Sequence, residues 1–170
     1  MAHLVRAATP FDIAAIEGVY RRSWRGAYQP FLNRELLEEL ATQRVRDFDW
    51  RQGIEDSDAA VLVGVDVDGS VLGVVQVNEM LDAPRDLPEI TMLYVDPSAW
   101  GSGIASSLLI SGLGWITARG HTSARLRVVE NHHRARRFYE REGWALDPRI
   151  EPVTTELARL VYYRRDLHAP

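Results

Sequence analysis

The 170-residue chain has no cysteine, and it has no lysine either: all 20 of its basic residues are arginine. The first absence removes disulfides, thiolate nucleophiles and cysteine-ligated zinc together, and it fits a reducing compartment. The second excludes a Walker A phosphate loop and a kinase-type catalytic lysine, so two large nucleotide-using classes drop out. No apolar run approaches the ~18 residues of a membrane-spanning helix, and the start of the chain lacks a basic segment followed by an apolar stretch, so the expected location is the cytoplasm. Internal repeats, low-complexity tracts and Pro/Ser-rich linkers are missing as well. The formal net charge of -4 argues against nucleic acid or an anionic membrane as the main partner. What remains is 46% apolar residues, enough for one core, and the reading is a single domain over residues 1–170.

Strand and helix signals alternate along this chain. Leu4–Ala7 reads as a strand, and Thr9-Pro10-Phe11-Asp12 as a start signal for a helix to about Arg25, with Ile13, Ile16, Val19 and Tyr20 on one face. After Pro30 and Asn33, a second helical stretch carries Leu36, Leu37 and Leu40 on one side and continues irregularly past Trp50. Ala59–Val67 and Val71–Asn78 form a hairpin pattern around Asp68-Gly69. The Met80–Leu87 stretch reads as a loop, Glu89–Val95 as a strand that Asp96-Pro97 ends or bends, and Ile104 to Ile116 as a helix stopped by Gly120. Leu126–Val129 reads as a core strand, Ala135, Phe138 and Tyr139 mark a helix closed by Gly143, and Leu157–Leu167 is a last strand. Early hairpins followed by strand–helix–strand imply an α/β layer fold with a mixed sheet.

The segment from Leu93 to Ala105 joins a strand to a helix through Trp100-Gly101-Ser102-Gly103. A helix start presents unpaired backbone amides and partial positive charge, and glycine lets a pyrophosphate approach the backbone closely. A Rossmann dinucleotide loop wants a third small residue completing Gly-x-Gly-x-x-Gly at the first strand–helix turn; here Ser106 stands at that place, mid-chain. A nucleophile elbow needs Gly-x-Ser-x-Gly, which no serine of the chain satisfies. A different phosphate-bearing cofactor remains.

These residues resemble the GNAT superfamily of acetyl-CoA-dependent N-acetyltransferases. The resemblance rests on Glu89-Ile90-x-x-Leu93-Tyr94-Val95-x-Pro97 followed by Gly101-x-Gly103-Ile104-Ala105 and Leu108. A second segment follows in Val128-Val129-Glu130, Arg134-Ala135-x-x-Phe138-Tyr139-Glu140 and Gly143-Trp144. The resemblance implies an α/β fold with a mixed central sheet of about seven strands and helices on both faces. It also implies acetyl-CoA as co-substrate, with Leu93, Tyr94 and Val95 pairing with pantetheine like an added strand and the turn from Trp100 through Gly101, Ser102, Gly103, Ile104 and Ala105 to Ser106 receiving the pyrophosphate. Two departures stand out: the family's Gln or Arg opening this loop falls on Trp100, and its Asn before the last helix falls on His132, one place after Asn131. Asn131 and His132 are both candidates for a polar cofactor contact.

Acetyl transfer to an amine needs an uncharged nitrogen, a polarised thioester carbonyl and a proton for the departing thiolate. By resemblance Tyr139 is the proton donor, with core filling as the competing role. Glu89 is a candidate base, acting directly or through a water, against a solvated or Arg-paired carboxylate. A backbone N–H near Val95 is the candidate polarising group. Trp24 and Tyr28, with Phe31, are candidate acceptor-lining residues, and Glu79, Asp82 and Asp86 are candidates to attract a cationic amine. No metal is needed. His133 reads as a polar helix-start residue, and the run Arg134, Arg136, Arg137 and Arg141 mostly as a solvated face. The partners are a small-molecule or peptide amine and, by resemblance, a second copy of the chain through the C-terminal strands. A binding module that senses acyl-CoA without turnover is the alternative function.

Overall fold

The computed structural model describes residues 3–29, 33–79, 87–155 and 158–167. Among these residues there are five α-helices and eight strands, a mixed α/β sheet flanked by helices. The chain groups into two compact units, Met1–Gln76 with Met92–Gly112 and Val77–Thr91 with Leu113–Pro170.

The first unit opens with β1 (Leu4–Ala7), antiparallel to β2 (Ala59–Val65), with Leu4 opposite Val65 and Ala7 opposite Leu62. The predicted start signal then operates through Asp12. Its Oδ2 accepts from the Thr9 amide at 2.8 Å and the Thr9 hydroxyl at 3.0 Å, and both carboxylate oxygens accept from the Arg6 guanidinium at 2.8 Å. A single 3-10 turn, Pro10–Asp12, leads into α1 (Ile13–Tyr28), which runs one turn beyond the expected end at Arg25. The Arg6 hydrogen bonds hold the Asp12 carboxyl well below the usual carboxylate range, more than offsetting burial. A depressed folded-state value means that the pair stabilises the fold above the usual carboxylate range and that this contribution is lost as pH falls. Asp12→Asn is therefore expected to lower the unfolding midpoint at pH 7, with the difference from wild type shrinking between about pH 4 and pH 2 in thermal scans.

Ile16, Val19, Tyr20 and Trp24 of α1 are buried at positions i, i+3, i+4 and i+8, so one stripe of the helix enters the core. Burial of each large side chain contributes roughly 1.5–3 kcal/mol. In α2 (Arg34–Asp47) the Asn33 side chain caps the helix by accepting from the Leu36 amide at 2.9 Å. Leu37, Ala41 and Val45 are buried and Leu40 packs at the edge, whereas Leu36 is 37% exposed. Grouping Leu36 with the inner leucines is thus corrected: a stripe through positions 37, 41 and 45 leaves 36 at its margin. The irregular stretch resolves into a break at Phe48-Asp49 and a short α3 (Trp50–Glu55), capped by Asp49 accepting from the Gln52 amide at 3.0 Å.

The strand expected to reach Val67 stops at Val65, because Asp66 takes over the turn. Its side chain accepts from the amides of Asp68 and Ser70, and Gly69 adopts φ +82° before β3 (Val71–Asn78) begins. β3 is followed in sheet order by β4 (Glu89–Val95), whose Met92–Val95 portion belongs to this unit. The helix α4 (Ile104–Ala118) seats Ile104 against Gly64, where any Cβ would lie 2.8 Å from the isoleucine methyl.

In the second unit, Glu89 and Ile90 of β4 pair in parallel with Arg125 and Leu126 of β5 (Ser123–Val129). β5 is antiparallel to β8 (Arg159–Asp166) over its whole length, and β8 also receives β6 (Ala145–Leu146) and β7 (Val153–Thr154). These two-residue strands escape the sequence reading because two positions cannot display a period. α5 (His133–Arg141) lies between β5 and β6 in the chain. Tyr163, fully buried, donates its hydroxyl proton to Glu140 at 2.8 Å and accepts from Arg136 at 2.9 Å, tying α5 to β8.

Candidate active site

The Gly-rich turn lies in the first unit. Asp96 ends β4 with its own side chain: Oδ1 accepts from the Ser98 amide at 3.0 Å and the Ser98 hydroxyl at 2.7 Å, and Oδ2 accepts from Arg22 Nε of α1 at 2.5 Å. Burial acts to raise the Asp96 carboxyl, and the Ser98 and Arg22 hydrogen bonds outweigh it, so the group sits below its ordinary range. A 3-10 turn at Pro97–Ala99 follows, and Trp100 Nε1 then donates back to the Val95 carbonyl at 2.9 Å.

Gly101 and Gly103 both adopt left-handed backbone, at φ +82° and +91°, and a Cβ built at either would meet no atom within 4 Å. The open space on these two residues leaves the backbone accessible at the start of α4, whose first amides have no carbonyl of the same helix behind them. The Ser107 amide, bonded to the Gly103 carbonyl at 3.1 Å, closes the first turn. Ile104 is 1% exposed, so its side chain belongs to the core and only its backbone serves the turn. Ala105 and Ser106 are half-buried, as are Leu93 and Tyr94, while Val95 is buried.

On α1, Trp24 is buried and Tyr28 half-buried, their ring centroids 4.3 Å apart; Tyr20 in turn lies 4.6 Å from Tyr94. Trp24 is thus a core residue, and Tyr28 offers more of its ring. Phe31, Asp82, Asp86 and Leu157 lie outside the described residues.

The second unit holds the other candidates. Glu89 is 1% exposed, with one carboxylate oxygen accepting from Arg125 Nε at 2.8 Å and the other from Arg127 Nε at 2.7 Å. This is the Arg-paired arrangement that competes with a base role. Sequence reading missed the arginines, although Arg125 and Arg127 are two apart on one strand and so share a face. Glu79 accepts from Arg119 at 3.0 Å and from His121 at 2.6 Å. The His121 contact, with Arg119 behind it, holds its carboxyl below the ordinary range. Its charge is already matched, which weakens it as a lure for a cationic amine.

Tyr139 is half-buried on α5, edge-to-face with Phe138 at 5.3 Å and with Trp144 at 6.3 Å between ring centroids. Asn131 is exposed. His132 caps α5, its Nδ1 accepting from the Ala135 amide at 3.4 Å. Burial, then the neighbouring Arg134 and His133, depress its pKa, which favours the neutral ring that this acceptor role requires. Arg136 is committed to Tyr163 and the Glu130 carbonyl, while Arg134, Arg137 and Arg141 are exposed along one side of the helix. Among the described residues no cluster of His, Asp and Glu is arranged to hold a metal, and no helix is long and apolar enough to cross a membrane.

A strand ending on a capping aspartate, two left-handed glycines and a helix N-terminus follow one another directly, a cradle of backbone that can receive an anion. The family model described as the acetyltransferase (GNAT) family matches residues 15–144, a span containing the cradle, Glu89 and Tyr139. This chain belongs to the GNAT family. The GNAT chain is 30% identical over 142 residues to an uncharacterized N-acetyltransferase of Archaeoglobus fulgidus, covering 79% of this chain and 88% of that relative. In fold it is similar to the PaiA N-acetyltransferase of Thermoplasma acidophilum, crystallised in complex with coenzyme A: the TM-score is 0.81 at 18% identity, over 98% of this chain and 99% of the other. A GCN5-related N-acetyltransferase from Kribbella flavida gives 0.71 at 22% identity, over 98% of each chain. The acetyltransferase assignment follows from the family; the structural likenesses establish the fold.

Proposed function

We propose that this GNAT enzyme moves the acetyl group of acetyl-CoA to a primary amine of a small molecule or peptide, by direct attack of the amine in a ternary complex. The reading is carried by the Gly101–Gly103 cradle, where two left-handed glycines with nothing beyond their Cα atoms adjoin the start of α4. The cradle fits a pyrophosphate: backbone amides and the helix dipole favour the anion without a basic side chain. That a similarly folded N-acetyltransferase was crystallised with coenzyme A supports the same donor here.

Acetyl-CoA brings a thioester, whose C–S bond breaks as the amine nitrogen forms its bond to the acetyl carbon. In this reading the Gly101–Ala105 turn holds the pyrophosphate through its amides other than that of Ser102, which donates to the Ala99 carbonyl at 3.2 Å, and the backbone of Leu93–Val95 pairs with the pantetheine arm. Tyr139 delivers a proton to the departing sulfur, and the amine loses one to solvent or to a bound water. We assign Glu89 to holding Arg125 and Arg127, since both of its oxygens are engaged by them. Tyr28 stands at the acceptor side.

The test is thermal unfolding with and without acetyl-CoA. At about a hundredfold excess over the dissociation constant, mass action adds ~2.7 kcal/mol to the stability of the folded state. For a chain of this size, that raises the midpoint by roughly 5–10 °C. A rise followed by amine-dependent release of free thiol establishes turnover; a rise with no thiol from any amine screened favours an acyl-CoA sensor; no rise removes the cradle reading. Gly103→Ala serves as an internal control. Forcing a side chain into the left-handed backbone there costs about 1–2 kcal/mol, and acetyl-CoA is expected to raise the variant's midpoint less than that of the wild type.

A further inference from the structure

Trp100 occupies the position where the resemblance expects a polar Gln or Arg, and its side chain does structural work between three segments. Its Nε1–H reaches back over five residues to the Val95 carbonyl at 2.9 Å, joining the end of β4 to the start of the Gly-rich turn. The far edge of the indole lies on α1 at Gly26. A Cβ built there would come 2.8 Å from Cη2 and 3.1 Å from Cζ2 of Trp100, and 3.0 Å from Cγ of Pro97. No ordinary Cβ contact is as short as 2.8 Å, so glycine is the residue that admits the ring. One helical turn earlier, on the same face of α1, Arg22 holds Asp96 at 2.5 Å. The five residues between strand and cradle, 96 to 100, are therefore fastened to α1 at two points, through Asp96 to Arg22 and through Pro97 and Trp100 at Gly26, and cross-braced by the indole.

We propose that Trp100 is a positioning residue for the cofactor: a strut that fixes the Gly101–Gly103 turn against the end of β4, with Gly26 as its seat on α1. The inference rests on the coenzyme A reading of the cradle. A polar side chain at position 100 would act by touching phosphate; the indole acts by setting the spacing between two backbone segments, one serving the pantetheine arm and the other the pyrophosphate. Preorganisation of this kind raises affinity because less ordering remains to be done on binding. It also makes α1, which carries Tyr28, part of the cofactor site through residues that never reach the cofactor.

The experiment is calorimetric titration of coenzyme A into wild type, Trp100→Phe, Gly26→Ala and the double variant, at a temperature where unfolding scans show all four folded. Trp100→Phe removes the N–H and the two ring atoms that crowd position 26. The dissociation constant is expected to rise about three- to tenfold, the usual scale of one hydrogen bond, with kcat at saturating acetyl-CoA within about twofold of wild type. Gly26→Ala is expected to raise it similarly although it removes no atom from the loop. The double variant should lose less than the sum of the two single losses, because the smaller ring no longer meets the new methyl and only Pro97 Cγ, at 3.0 Å, still crowds it. A purely structural tryptophan would lower the midpoint and leave the dissociation constant of the folded variants unchanged. That result, or strictly additive losses in the double variant, overturns the strut. If wild type itself does not bind coenzyme A, the cradle reading fails and the strut falls with it.

Discussion

Tyr139→Phe is expected to bind acetyl-CoA as wild type does and to lose about a hundredfold or more in kcat, the usual scale for removing a general acid. The substitution deletes one hydroxyl and keeps the ring, so the edge-to-face contacts with Phe138 and Trp144 survive and the fold is expected to stand. The reading depends on Tyr139 being half-buried, since a tyrosine placed to fill the core would have its ring enclosed. The measurement is initial-rate kinetics on a responsive amine, with the acetyl-CoA thermal shift as the binding control. A lowered kcat with an unchanged shift assigns the hydroxyl to the chemical step. Wild-type turnover in the variant removes Tyr139 as the acid.

Glu89→Ala has the largest expected effect on stability. The carboxylate is buried, and its removal strands Arg125, itself 7% exposed, without a counter-charge, whereas Arg127 is nearly half in water and loses little. Breaking a buried pair from one side costs about 3–5 kcal/mol, which for a chain of this length lowers the unfolding midpoint by roughly 10 °C. Glu89→Gln keeps the volume and one acceptor, so a smaller loss is expected. The same variant separates the two roles weighed for this residue. Measured well below its midpoint, an ion-pair residue leaves kcat within a few-fold, whereas a general base takes about a hundredfold with it and reshapes the pH–rate profile. The second outcome would return Glu89 to the chemistry.

The cradle was legible because each of its parts is local. Asp96-Pro97 must stop a strand, Gly101 and Gly103 permit left-handed backbone, and Ile104, Leu108 and Leu109 announce a helix by their spacing; the structure places β4, the turn and α4 accordingly. α1 is equally readable from its stripe, although it continues to Tyr28, past the expected end at about Arg25, and seats Trp100 on Gly26 in that added stretch. Sequence spacing cannot convey that contact. The partners of Glu89 were hidden for a similar reason: a carboxylate at a strand start is solvated or paired according to which strand lies beside it, and Arg125 is 36 residues away. For Glu79, what the chain order presents as an acid near a loop becomes a matched ion pair once Arg119 and His121 come back to it across about 40 residues.

Residue type and local spacing alone mark the longer elements and close whole chemistries: without cysteine or lysine the chain has no thiolate and no phosphate-loop lysine, and its Gly-rich turn lies between a strand and a largely apolar helix. Those outcomes follow from residue type and short-range spacing, the scale on which backbone sterics and hydrophobic periodicity act. The tertiary structure decided which polar groups are already spent. Glu89, Glu79, Asp96 and Arg136 all find partners distant in the chain, and Trp100 finds Gly26. A buried charge must be satisfied wherever the fold brings a partner within about 3 Å, and chain order carries no measure of that distance.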